Sequence, residues 1–159
     1  MKRFYLAYAC AILTACTYNG VAPSGGSGGG GGVTHVVDVN LTLNQPVPTK
    51  YGQSGGMKPP VLMVAVGDSI VFHNSDGFAH TSTSITPAQS NNETQFPAAE
   101  PFGASALTQS GMTLSGGWSS GAMQAGSSSQ TIAADKPGTY LFGCFFHYGA
   151  PMRGAIVAQ

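Results

Sequence analysis

From Val33 onward, segment after segment places apolar residues at every second position, and no stretch repeats them at helical spacing. A chain patterned this way can bury one side of each segment only as β-strands. Val37, Val39, Leu41 and Leu43 alternate with Asp38, Asn40 and Thr42, which predicts a half-buried strand. Val61 to Val66 reads as a second strand. After a Gly67-Asp68 turn, Ser69 to Asn74 reads as a third, with Ile70 and Phe72 on one face and Val71 and His73 on the other. Thr131 to Asp135 and Thr139 to Cys144 flank Lys136-Pro137-Gly138, a pattern that predicts a hairpin. Tyr140, Phe142 and Cys144 then point one way. Gly154 to Ala158 is a last strand. The stretch 81–117, rich in Ser, Thr, Asn, Gln, Gly and Pro, is read as loops with one or two short strands. The spacing predicts an all-β fold, a two-sheet antiparallel sandwich.

The amino end reads as an address. Met1-Lys2-Arg3 is positive, and the apolar stretch from Phe4 to Leu13 is too short to span a bilayer. Leu13-Thr14-Ala15-Cys16 resembles the lipobox of bacterial lipoproteins, with cleavage before Cys16 and lipid on its sulfur; the alternative is an ordinary secretory signal cut near the same place. Thr17 follows, not the aspartate that retains many such proteins in the inner membrane, so the expectation leans to the outer membrane or the periplasmic face. Residues 17–32 end in Gly-Gly-Ser-Gly-Gly-Gly-Gly-Gly without the flanking strand, helix or Lys of a phosphate loop. They read as a flexible tether with a root-mean-square span of roughly 20–24 Å. The expected organisation is a signal at 1–15, an anchor and linker at 16–32, and one domain at 33–159. Lys+Arg and Asp+Glu both count 6, and only 8% of residues are charged, so no basic field exists for nucleic acid.

The chemistry concentrates near the carboxyl end. Cys144-Phe145-Phe146-His147-Tyr148-Gly149-Ala150-Pro151-Met152 has the form C-x2-H-x4-M, three soft or borderline metal donors at the end of a strand. Thiolate and thioether select soft metals, and imidazole suits copper. One strong donor is still missing, and His73 or His80 can supply it. His80 leaves a strand in the loop Asn74-Ser75-Asp76-Gly77-Phe78-Ala79-His80, whereas His73 alternates against Phe72 and should face solvent. His35, near the linker, reads as a surface residue.

These segments also carry a family likeness. Val66-Gly67-Asp68-Ser69-Ile70-Val71-Phe72 followed by Asn74, Asp76-Gly77-Phe78 and His80 resembles the first ligand segment of plastocyanin-like cupredoxins. Trp118-Ser119-Ser120-Gly121-Ala122-Met123 with Gly126 resembles their aromatic-x-Ser-Gly segment. Lys136-Pro137-Gly138-Thr139-Tyr140-Leu141-Phe142 leading to Cys144, His147 and Met152 resembles the second ligand segment. The resemblance implies a Greek-key cupredoxin-like sandwich. It implies one type 1 (blue) copper ion, with His80, Cys144 and His147 as strong ligands and Met152 as the weak axial one. It also implies single-electron transfer, with c-type cytochromes or a terminal oxidase or reductase as redox partners. His147 would be the exit, within an apolar docking patch of Phe145, Phe146, Tyr148, Ala150 and Pro151. Two departures stand out: Gly143 occupies a position where many members carry an aromatic residue, and Thr81 follows His80 where Asn is frequent. The second puts one hydrogen bond around the site at issue.

The remaining features take structural readings. Trp118 is expected in the core, and Tyr140 should tie its hydroxyl to backbone. Asn92-Glu93-Thr94 matches a glycosylation sequon that a bacterial lipoprotein would not use. Cys10 leaves with the signal, Cys16 takes lipid, and Cys144 is an unpaired exported thiol that a metal would protect. The expected protein is a monomeric, non-enzymatic electron carrier of the cell envelope, with no His-x-His pair for a second copper cluster. The alternative is copper sequestration or delivery without electron transfer.

Overall fold

The computed structural model describes residues 31–90 and 94–159. The signal, Cys10, Cys16, most of the tether and the sequon Asn92 lie outside the described residues.

Twelve strands form among the described residues: β1 Thr34–Val39, β2 Val47–Thr49, β3 Gly52–Ser54, β4 Met57–Lys58, β5 Val61–Val64 and β6 Ser69–Asn74, then β7 Thr83–Ser84, β8 Gln109–Thr113, β9 Gly117–Ser120, β10 Ile132–Ala133, β11 Gly138–Gly143 and β12 Arg153–Ala158. A 3-10 turn, Ala104–Leu107, precedes β8. Ten strands make one continuous sheet in the order β4-β1-β6-β10-β8-β9-β7-β11-β12-β5, and β2-β3 form a separate ribbon.

The sheet folds over on itself. Val37 and Val39 of β1 and Ile70 and Phe72 of β6, near one end of the sheet order, share a core with Phe142 of β11, Ile156 of β12 and Leu62 and Val64 of β5 at the other. Phe72 meets Phe142 edge-on with ring centroids 5.0 Å apart, and stacks on Trp118 at 6.3 Å. The result is a two-layer sandwich whose chain crosses repeatedly from layer to layer. Its ladders are mixed rather than purely antiparallel: β1 runs parallel to β6, β12 to β5 and β10 to β8. Parallel neighbours follow from these crossings, because two strands entering from the same end cannot be joined by a tight hairpin.

Two local expectations are corrected. The alternation from Val37 to Leu43 does not stay extended; β1 stops at Val39. Asn40 Oδ1 accepts the Leu43 N–H at 2.9 Å, and Asp76 Oδ2 accepts the Leu41 N–H at 2.8 Å. These side chains offer the backbone a turn in place of a ladder. The segments around Lys136-Pro137-Gly138 also do not form a hairpin. β10 pairs with β6 and β8, whereas β11 pairs with β12 and β7, so this turn joins different layers. Tyr140 stabilises it as expected, its hydroxyl donating to the Lys136 carbonyl at 3.0 Å.

A third layer covers the outer face of β11 and β12. Leu141 and Ala155 are buried there with Tyr51, Ile85, Phe96 and Tyr148. Arg153 clamps it, with its guanidinium over the rings of Phe96 (5.1 Å) and Tyr148 (4.8 Å) and an N–H donated to the Pro97 carbonyl. β11 is therefore covered on both faces.

His35 is not a free surface residue. Its Nε2 bonds Asp68 Oδ2 at 2.8 Å, and Asp68 also accepts N–H groups from Val33 and Ala65, closing the turn between β5 and β6. His73 is half-buried and bonds Ser128 Oγ.

Because Phe72 is fully buried between two other aromatic rings, Phe72→Ala should cost about 3–5 kcal/mol of stability. Val36→Ala, on the same pair of strands but 58% exposed, should change it by less than about 0.5 kcal/mol. Denaturant unfolding of both variants checks this.

Candidate metal centre

Two loops bring the donor side chains together. The first leaves β6 and is shaped by Asn74. Its buried side-chain amide donates to the carbonyls of Phe78 and Met123, both at 2.9 Å, while its oxygen accepts the Asp76 N–H. His80 and Met123 then exchange backbone hydrogen bonds of 3.1 and 2.8 Å, which pins the His80 backbone against the segment after β9. The second loop joins β11 to β12. Its ends are closed by Cys144 N–H to Met152 O at 2.9 Å, and its interior by Ala150 and Met152 N–H to the His147 carbonyl. Cys144 and Met152 are thus held side by side, and both are fully buried in the main core.

At the meeting point, His80 Nδ1 lies 3.2 Å from His147 Nδ1, and Cys144 Sγ lies 3.7 Å from each. A triangle with these sides has a centre about 2 Å from every corner, close to the bond lengths of about 2.0–2.1 Å to imidazole nitrogen and about 2.3 Å to thiolate sulfur found for zinc. His80, Cys144 and His147 can hold one metal ion. Met152 is the adjacent thioether. Gly56 makes room for it: a Cβ there would come within 2.5 Å of Met152 Cγ, and the Gly56 φ of +68° also favours glycine.

The protonation states of the two imidazoles suit ligation. Burial pushes His80 below the ordinary imidazole value, His147 adds to the lowering, and the hydrogen bond to Asp76 opposes it. Burial also lowers His147. Both rings are therefore held towards the neutral form that binds metals. Burial raises the Cys144 thiol, while backbone N–H groups of Thr81, Phe146 and His147 work towards the thiolate. Thr81 N–H lies 3.4 Å from the sulfur.

Thr81 resolves the departure noted in the sequence. Its hydroxyl accepts the Phe145 N–H at 2.8 Å, so a short side chain joins the two ligand loops. Gly143 has a steric reason: a Cβ there would meet the Tyr148 ring at 2.8 Å. Sequence reasoning gave no role to Asp76. Its Oδ2 lies 3.1 Å from His80 Nε2 and leaves Nδ1 to face the other donors. The available signal was a carboxylate four residues before a candidate ligand.

The surface around His147 differs from expectation in one member. Tyr148 is 2% exposed and is not part of a docking patch. Its ring packs on Phe102 and under Arg153, and its hydroxyl donates to the Pro97 carbonyl at 2.9 Å. Phe146 is 43% exposed, Phe145 and Pro151 are half-buried, and Ala150 is exposed. Phe78, 44% exposed, takes the vacant place, with its ring 4.9 Å from that of His80 and 5.4 Å from that of His147. His147 itself is partly exposed between them. Trp118 lies in the core as expected.

No family model matches the chain, and no curated protein matches it. Solved structures do resemble it. A purple cupredoxin from Nitrosopumilus maritimus is 14% identical, with 78% of this chain and 98% of that one covered at a TM-score of 0.48. Plastocyanin from Dryopteris crassirhizoma is 20% identical, with 79% and 100% covered at 0.47. Auracyanin from Roseiflexus castenholzii is 17% identical, with 82% and 99% covered at 0.46. The functional reading rests on the side-chain geometry.

Folded-state lowering of the two histidines has a definite sign. Above the unfolded imidazole value of about 6.5, both states carry neutral rings and stability is full. Below it the unfolded chain takes up protons that the folded one resists, so stability falls as pH drops through the lowered values. The metal-free protein should unfold at lower denaturant at pH 5.5 than at pH 7.5, and the combined His80→Gln, His147→Gln variant should show a flatter dependence across that window.

Proposed function

We propose that this protein is a type 1 copper protein that carries single electrons in the cell envelope. The observation behind this reading is the convergence of His80 Nδ1, Cys144 Sγ and His147 Nδ1 about a single point beside Met152. Two imidazoles, a thiolate and a thioether form a donor set that suits copper, and the bound ion would supply one-electron Cu(II)/Cu(I) chemistry.

The chain's own residues set the conditions. Asn74 and Thr81, both buried, hold the loops through hydrogen bonds, which would restrain the donors as the charge at the centre changes. Burial of His80, Cys144 and Met152 keeps water from the inner side. His147 alone of the four is partly exposed, which makes its ring the short route to a partner. Phe78, Phe145, Phe146, Ala150 and Pro151 surround it with apolar surface. With so few charged residues in the chain, docking would depend on this surface rather than on steering by charge. Partners of the proposed carrier are c-type cytochromes or a terminal oxidase or reductase. Anchoring through lipidated Cys16 would leave the domain to reorient on its Gly-rich tether.

Loading with Cu(II) should bind one ion per chain and give the intense thiolate-to-copper charge-transfer band. Cys144→Ser should abolish the band; Met152→Leu should keep it and shift the reduction potential. Stopped-flow mixing with a reduced c-type cytochrome should reduce the copper rapidly. Binding without the band overturns the type 1 assignment, whereas slow reduction with ready release of copper to a chelating acceptor would favour sequestration or delivery.

Fractionation tests the anchor. Cys16→Ser should move the protein from the membrane to the soluble fraction in a bacterial host; unchanged partition would contradict lipidation at that residue.

A further inference from the structure

A buried carboxylate stands behind one donor of the centre, with no cation beside it. Among the described residues, Asp76 pairs with no Lys or Arg; its only ionisable partner is His80. Five hydrogen bonds satisfy the carboxylate instead. Oδ2 accepts the Leu41 N–H at 2.8 Å, the Thr42 N–H at 3.4 Å and His80 Nε2 at 3.1 Å. Oδ1 accepts the Gly77 N–H at 2.8 Å and the Thr42 hydroxyl at 3.3 Å.

Two consequences follow. A carboxylate can only accept, so the proton of the His80 ring must sit on Nε2, and Nδ1 presents a bare lone pair to Cys144 and His147. A buried negative charge one imidazole away also favours the more positive of two charge states at the centre, because little solvent lies between to screen it. Hydrogen bonds from neutral donors spread that charge without cancelling it.

We propose that Asp76 is a positioning residue of the metal centre: it fixes the ligating tautomer of His80 and biases bound copper towards the oxidised state. The second half rests on the copper reading above. The first half holds for the chain with or without metal. The same residue also ties the 40–44 turn to the site, since Leu41 and Thr42 share its oxygens with His80.

The test uses the full chain. Copper-loaded wild type, Asp76→Asn and Thr42→Val are equilibrated with a one-electron redox dye. Asp76→Asn removes the charge at nearly constant size. Thr42→Val removes one bond of the turn and leaves the charge in place. The reduced fraction of Asp76→Asn should rise at least tenfold relative to oxidised, about 59 mV for a one-electron couple; Thr42→Val should stay within threefold of wild type. An unchanged Asp76→Asn, or a Thr42→Val shift as large, overturns the electrostatic role. Independently, long-range proton–nitrogen NMR correlations of metal-free wild type at pH 8 should show His80 protonated at Nε2. Protonation at Nδ1 overturns the positioning role, and this readout needs neither copper nor a folded variant. A wild type that gives the Nε2–H tautomer but binds no copper supports the positioning role and refutes the copper reading alone.

Discussion

Two hydrogen bonds at Thr81, one donated and one accepted, hold together the parts of the chain on which the site depends. Its N–H reaches Cys144 Sγ and its hydroxyl takes the Phe145 N–H. One ligand loop leaves β6, which borders β1 and β10; the other connects β11 and β12 in the opposite layer. Nothing in either loop alone would bring His80 within 3.2 Å of His147. The residue next to His80 therefore acts as the seam between layers, and the mutually packed rings of Phe72, Trp118 and Phe142 lie in the core between those layers.

Around that seam the site grades from fully buried donors to a partly exposed rim. Cys144, Met152 and His80 sit within the core, fixed by backbone hydrogen bonds and full burial. Asp76 and Asn74 form the polar frame behind them, with each side chain bonded more than once. His147 and Phe78 lie at the rim. This order would suit the proposed carrier: the apolar rim would permit contact with a partner, and the frame would restrain the donors. The same buried polar groups carry a cost in desolvation, which their complete bonding offsets.

Much of this was legible in the chain itself. The strand from Ser69 to Asn74 occurs where period-two patterning places it, because Ile70 and Phe72 bury one face. Cys144, His147 and Met152 were readable as a group because they share one short loop. The misread parts fail for identifiable reasons. Leu41 and Leu43 continue the alternation, yet Asn40 and Asp76 side chains turn the backbone there. Lys136-Pro137-Gly138 is a genuine turn, but a local turn signal does not say whether the chain returns in the same layer or crosses to the other. Tyr148 sits among exposed residues in the sequence, and only the layer carrying Phe96, Pro97 and Phe102 covers it.

The sequence by itself determined the all-β architecture and the identity of the donors, because strand periodicity and a single short ligand loop are local properties. It also carried the chemical preference of the centre, since thiolate, thioether and imidazole bring their affinities wherever they fold. The choice of His80 over His73 was legible in the loop that follows Asn74, and the tertiary structure brings that ring within 3.2 Å of His147. Only the tertiary structure placed a carboxylate behind His80, Phe78 at the rim, and Tyr148 inside. Those outcomes depend on how the 74–80 loop folds and on which distant segments pack over Tyr148, and neither leaves a periodic trace in the chain.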